Sequence, residues 1–348
     1  MKYTKYTKYT TLLLLILLVS CAESQKSPEP KKSTLIKLAE GQPLKCTEFK
    51  EELIMTNPLS IELIGDYLYL FQHKGENAAF VFDVAKDKIL GTWGGRGGGP
   101  GEFNLPMFWG NRVSTNQVFL YDLDRFTLRE YANVNTSDKS DLIFKGEKKF
   151  PPNHAAFKWA SALENGNFVT SSSYNLDRPL LLLSSNLDSI CSFGDIPDDE
   201  HRSIDLRSYW GRTSSYKNKF VYAMSELGYL VCYEQASPDK VEKLWERFLQ
   251  LPIYKGNQLD PTKVLRGFVD VKMTPNYIFC SYSGKEEKQN DTSPEKILVF
   301  DHQGQLIKHF QLDRNIGKIA VSADEKTIYA ISYDNDIMLV KYEVGKYL

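Results

Sequence analysis

Short apolar segments, each following a polar turn, recur along this chain at Tyr67, Val118, Phe168, Phe220, Ile278 and Ile328, at intervals of 51, 50, 52, 58 and 50 residues. A fixed period near fifty, written in strand-like segments, restricts the fold to a solenoid or a propeller, because each repeat must bury its apolar faces on its neighbours. A second element keeps step with the first. Val81-Phe82-Asp83, Leu120-Tyr121-Asp122, Leu182-Leu183-Ser184 and Phe300-Asp301 each lead, nine or ten residues later, to an aromatic at Trp93, Tyr131, Phe193 or Phe310. This pattern is a hairpin with a polar turn, and an inner strand before each anchor brings the count to four strands per unit and six units. The expectation is an all-β, six-bladed β-propeller with four-stranded blades.

A closed ring leaves no sheet edge open. The last repeat supplies strands only at 316–320, 328–332 and 337–343. The ring is therefore expected to be closed by an N-terminal strand, drawn from 35–38 or 45–52.

Six glycines and a proline lie between Trp93 and Glu102, flanked by strand-like alternation, which marks an irregular connection between two blades. A phosphate-binding loop would need Gly-Lys-Ser/Thr at its end or a helix starting there. Pro100 and Gly101 stop a helix, so the glycines serve positions of positive φ. Gly94 to Pro106 reads Gly-x-x-Gly-x-Gly-Pro-Gly-Glu-Phe-x-x-Pro and is followed by Asn-Gln-Val-Phe-Leu-Tyr-Asp. The combination resembles the NHL and TolB-like six-bladed propeller lipoproteins of Gram-negative bacteria. The motif covers blades one and two, while the blade period runs over about 57 to 343. The resemblance implies a propeller with a surface or periplasmic address and adds little about activity.

The N-terminus has its own logic. Lys2, Lys5 and Lys8 precede the apolar run from Leu12 to Val19, the layout of a secretory signal and too short for a spanning helix. Leu18-Val19-Ser20-Cys21 resembles the bacterial lipobox, in which the cysteine carries the lipid. Residues 1–20 are thus expected to be a lipoprotein signal peptide, 21–33 a polar tether unable to form a core, and 34–348 the propeller. Ala22 after the cysteine resembles lipoproteins sent to the outer membrane, which places the protein in the cell envelope, periplasmic or surface-facing.

Removing the leader takes away three lysines and leaves 40 basic against 44 acidic residues, a balance near −4 that favours no nucleic acid. The remaining cysteines, Cys46, Cys191, Cys232 and Cys280, lack metal-ligand spacing and sit in apolar runs, as packed thiols do, although one bridge is possible in an oxidising envelope. The histidines His73, His154, His201, His302 and His309 are isolated, so no local zinc motif exists. Asp122-Leu-Asp124 begins like a calcium loop but lacks its glycine and glutamate; with Asp83 and Asp301 at the same place, turn formation is the simpler role. The acidic run 198–202 reads as a solvated loop. No cofactor, metal or catalytic residue is called for, and a monomer is expected.

Trp109, Trp159 and Trp210 are 50 and 51 residues apart, each nine or ten before its blade's anchor, with Arg112 and Arg212 two or three residues further on. Equivalent places on three inner strands would gather indoles and cations at the channel mouth, a site for a sugar ring or an extended peptide. The same spacing also suits indoles packed between blades. Two functions follow: a lipid-anchored binding or interaction propeller for a glycan, peptide or envelope protein, or a propeller hydrolase or lyase with a site assembled from loops of several blades.

Overall fold

The computed structural model describes residues 35–49, 55, 57–99, 101–136, 139–150, 159–171, 178–195, 197, 209–289, 293–334 and 336–348. The expected leader over 1–20, Cys21, the expected tether over 21–33, the 198–202 run, His154 and His201 lie outside the described residues.

Alternation of apolar and polar residues builds six antiparallel sheets arranged as blades. Blade one comprises Pro58–Ile64, Tyr67–Gln72, Asn77–Asp83 and Lys88–Gly95; blade two comprises Pro106–Arg112, Gln117–Asp122, Thr127–Thr136 and Lys139–Lys149. Blade three holds Ala160–Ala162, Phe168–Ser171, Leu180–Leu183 and Ser189–Phe193; blade four holds Gly211–Tyr216, Lys219–Met224, Tyr229–Ser237 and Lys240–Phe248. A small hairpin, Tyr254–Lys255 with Gln258–Leu259, precedes blade five, which runs through Phe268–Met273, Tyr277–Tyr282, Lys296–Asp301 and Leu306–Leu312. Blade six has Ile316–Val321, Thr327–Ser332 and Met338–Glu343 from the C-terminus. The first strand of each blade touches the first strand of the next, and blade six returns to blade one, which closes the ring.

All six sequence anchors fall on second strands, which are almost wholly buried because both faces meet neighbouring blades. The second repeated element slips in blade two. There Leu120–Asp122 still belongs to the second strand and Tyr131 to the third, because that blade's outer hairpin is long.

The N-terminal segment closes the ring and does more. Thr47–Glu48 pairs antiparallel with Met338–Glu343 as the fourth strand of blade six, so the 45–52 candidate supplies the closing strand. Phe49 follows and packs edge-on against Phe82 of blade one, with ring centroids 4.7 Å apart, while also lying 6.2 Å from Tyr329 of blade six. Upstream, Gln42–Leu44 adds a parallel fifth strand to blade five, and Leu35 bridges to Phe248 on blade four. The segment therefore straps the outer edges of three successive blades, and the chain enters the described fold at the rim.

The glycine-rich connection is a structural device, as expected. Glu102 folds back to accept from the Gly99 amide at 2.8 Å, and Arg96 donates to the carbonyls of Gln72, Gly75 and Asn104. Asp122 accepts from the Asn104 and Leu105 amides, which fixes the exit of the loop. Gly97 and Gly101 have φ of 137° and 76°, conformations that a side chain would strain. Asp83 and Asp301 form turns with their carboxylates, each accepting from two amides downstream. The four described cysteines are free thiols: Cys232 and Cys280 are buried, Cys46 and Cys191 half-buried.

Candidate functional site in the central channel

The inner strands of all six blades surround a cavity of about 170 Å³. Small residues such as Ala160, Ser161 and Ser214 line the inner strands, and serine hydroxyls pin one blade to the next. Ser161 donates to Thr213 Oγ1, Ser215 to the Ala162 carbonyl, and Ser214 accepts from the Met273 amide.

The channel is not apolar. Glu62 of blade one, Arg212 of blade four, Asp270 and Lys272 of blade five and Lys318 of blade six stand on inner strands. Lys272 Nζ lies 2.8 Å from both Glu62 oxygens and 3.9 Å from Asp270 Oδ2. Asp270 also accepts from the amides of Val271 and Ile319 at 3.1 and 3.0 Å. The two carboxylates are pushed in opposite directions. Burial, outweighing the attraction of Lys272 and helped by the charge of Asp270, pushes Glu62 up to about 7. Burial also acts on Asp270, but Lys272, Arg212, Lys318 and the Ile319 amide overcome it and hold that carboxyl below its usual range. Asp270 is the resident anion and Glu62 the group that takes a proton.

A pH dependence follows. The folded pKa of Glu62 is raised, so its contribution to stability is complete below the unfolded value of 4.5 and is lost as pH climbs through about 7. At about 1.4 kcal/mol per unit the loss reaches about 3 kcal/mol. Asp270 has the opposite sign and acts only as pH falls below 3.8, outside this window. In denaturant titrations between pH 4.5 and 7.5, Glu62→Gln is expected to show a decline smaller than wild type by about 1–3 kcal/mol. Parallel curves for the two proteins would assign the slope elsewhere.

The sequence-predicted residues divide. Trp159, immediately before the inner strand of blade three, lines the cavity, and the Arg212 guanidinium carbon stands 4.1 Å from its ring centroid. Trp210, 38 % exposed, meets Trp159 edge-on at 6.4 Å. These three form one cluster at the end of the channel where the inner strands begin. Trp109 and Arg112 do not join it. Trp109 is fully buried between blades two and three, 4.5 Å from Tyr121 and 5.6 Å from Phe150. Arg112 is buried as well and donates to the carbonyls of Leu163 and Gly166 at 2.7 and 2.6 Å, which ties blade two to the first turn of blade three.

A β-bulge explains the separation. The pairing of the first two strands of blade two shifts between Phe108 and Gly110, leaving Trp109 as the extra residue and turning it away from the channel. Gly110, with φ of 109°, permits the bend; a Cβ there would come within 3.0 Å of the Ala162 amide nitrogen. Register confirms the offset: Ala160 pairs with Thr170 as Phe108 pairs with Leu120, so Trp159 corresponds to Met107 rather than to Trp109.

Among the described residues, no group of three or more His, Cys, Asp or Glu could hold a metal ion. Of the charged quintet only Arg212 was named from the sequence; Glu62, Asp270, Lys272 and Lys318 were missed. Their one visible signal was isolated charge inside apolar inner strands, as in Ile61-Glu62-Leu63 and Val269-Asp270-Val271-Lys272-Met273.

The family described as TolB-like 6-blade propeller-like matches residues 253–324, from the small hairpin through blade five into blade six. The TolB-like resemblance drawn from the glycine-rich motif is thus borne out by a different part of the chain. No curated protein matches the sequence. Among solved structures, a candidate exported protein of Bacteroides fragilis NCTC 9343 aligns with a TM-score of 0.56 at 14 % identity, covering 86 % of this chain and 94 % of that one. A Lactobacillus plantarum protein aligns with a TM-score of 0.50 at 11 % identity, covering 82 % and 81 %. At these identities the likeness concerns the fold.

Proposed function

We propose that this protein is an exported, lipid-anchored propeller of the cell envelope that binds a glycan, a peptide or a protein partner at the Trp159, Trp210 and Arg212 end of its channel. The carrying observation is that cluster: an exposed indole, a second indole under a guanidinium, and a cavity behind them. Aromatic faces beside directed donors suit ligands with one apolar face and polar edges. The cavity is smaller than the roughly 300–1,000 Å³ of pockets for drug-sized ligands, so it takes a single ring or terminal group rather than a chain. Adding glycan and peptide pools to wild type is expected to quench or shift indole emission, and the response should be lost in Trp210→Ala. A wild type silent to every pool sinks the reading.

The Leu18-Val19-Ser20-Cys21 sequence supports the anchor, and the export ascribed to the Bacteroides protein fits the same address. Cys21→Ser is expected to convert a detergent-soluble, membrane-fraction protein into a soluble or unprocessed one. A variant that fractionates and is processed like wild type would remove the anchor.

One observation favours the second reading, a hydrolase or lyase. Two carboxyls with diverging pKa values around one lysine are what an acid/base pair requires. Turnover of any pool component, abolished by Glu62→Gln, would establish it over simple binding.

A further inference from the structure

Arg212 is the cation of the channel whose hydrogen-bonding capacity is unspent. Lys272 is bidentate with Glu62, whereas Arg212 makes no hydrogen bond or ion pair shorter than 4 Å with any described residue. Its guanidinium carbon instead stands 4.1 Å from the centroid of the Trp159 ring. Arg212 also lines the cavity, so its uncommitted N–H donors are available to a molecule held there. A second orphan faces the same space. Ser60 lines the cavity, is 8 % exposed, and its hydroxyl has no hydrogen-bond partner, an expensive condition for a buried polar group.

Charge narrows the chemistry. Besides Arg112, which is turned into blade three, the ionisable groups of the inner strands are Arg212, Lys272, Lys318, Glu62 and Asp270. Above about pH 7, where both carboxylates are ionised, the channel carries one excess positive charge. A monoanion neutralises it, whereas a dianionic phosphate would overshoot beside two carboxylates. An in-plane fork matches the two oxygens of a carboxylate. The exposed indole of Trp210, edge-on to the Trp159 ring that Arg212 covers, offers a face for the body of the ligand, and the serine hydroxyl offers one more directed contact.

We propose that the channel site takes a sugar acid, its carboxylate held by the Arg212 fork, its ring against Trp210 and a polar edge within reach of the Ser60 hydroxyl. The inference rests on the reading of this channel end as a binding site and names the chemical class of its ligand.

D-glucuronate and D-glucose differ by one carboxylate and serve as probes, with inorganic phosphate and acetate as further arms, in calorimetric and indole-fluorescence titrations. Glucuronate is expected to bind at least tenfold more tightly than glucose, phosphate and acetate, with an affinity that weakens as salt is raised. Arg212→Lys keeps the charge but not the fork and should lose most of that preference; Ser60→Ala should weaken glucuronate several-fold while melting at or above the wild-type temperature, since it removes an unpartnered buried hydroxyl. Both variants are scored only on protein with a wild-type near-ultraviolet spectrum, and Ser60→Ala keeps the test available if Arg212→Lys does not fold. Equal affinity for glucuronate and glucose, or tighter binding of phosphate, overturns the sugar-acid assignment and leaves the binding site standing. Binding of acetate as tight as glucuronate overturns the ring contact. Silence of all four probes together with silence of the glycan and peptide pools overturns the binding site itself.

Discussion

Removal of residues 316–348 is expected to abolish cooperative folding, leaving a chain with no sigmoidal thermal transition and no near-ultraviolet signal. The deleted segment holds the three C-terminal strands of blade six, and its loss uncovers the faces of two other blades. On the blade-one side, Ile61, Leu68, Leu70 and Phe82 lose the cover of Ala320, Tyr329, Ile331 and Leu339. On the blade-five side, Phe279, Ile297, Val299 and Phe310 lose Ile316, Ile319, Val321 and Ile328. Eight side chains at about 1.5–3 kcal/mol each outweigh, even at half exposure, much of the roughly 5–15 kcal/mol that stabilises a whole domain. The closing strand fails with them, because among the described residues Thr47–Glu48 pairs only with Met338–Glu343 and Phe49 bridges blade six to blade one. A truncated protein that melts cooperatively would mean that the blades fold independently, which a closed ring does not allow.

The fold was legible because propeller geometry repeats itself in sequence. Second strands are buried on both faces, so they read as apolar runs at a fixed interval, and Asp83 and Asp301 mark the turns that follow third strands. Closure was legible as a deficit of one strand. Its residues were legible only as one of two candidate segments, 35–38 or 45–52, because Thr47–Glu48 carries no apolar alternation and is defined by the edge it meets. Nor did composition disclose that Gln42–Leu44 and Leu35 would reach blades five and four; pairing along a strap depends on main-chain groups, which every sequence has.

The site was half legible, for a related reason. Spacing along the chain locates a residue in its blade, but a single bulge reverses which side of the strand it occupies. Trp159 and Arg212 came together at the channel because their strands begin without such a bulge, while Trp109 and Arg112 were carried into the core and the neighbouring turn. The charged quintet was hidden by distance: Glu62 and Lys272 are 210 positions apart. Only a ring brings blade one and blade five within reach across a channel, and no local pattern records which lone charges will meet there.

Trp109→Ala is expected to lower stability by about 3–5 kcal/mol, the range for truncating a fully buried tryptophan. The indole has no exposed surface and fills the space between blades two and three, against Tyr121 and Phe150 on one side and Phe168, at 6.0 Å, on the other. Its Nε1 has no hydrogen-bond partner, so the loss comes from packing and from the cavity left behind rather than from a broken polar contact. The surrounding rings are held by strand pairing and cannot collapse inward, which places the cost toward the upper part of that range. Trp210→Ala supplies the contrast. That indole is 38 % exposed and its described ring contact is the edge-on one with Trp159, a pair worth about 0.5–1.5 kcal/mol. Denaturant titrations of both variants should therefore show a large fall in midpoint at unchanged slope for Trp109→Ala and a small one for Trp210→Ala. Ligand-induced changes in indole emission, in turn, should survive the first substitution and vanish with the second. Equal losses of stability in the two variants would mean that Trp210 is packed as core, and the channel mouth would then present no indole to a ligand.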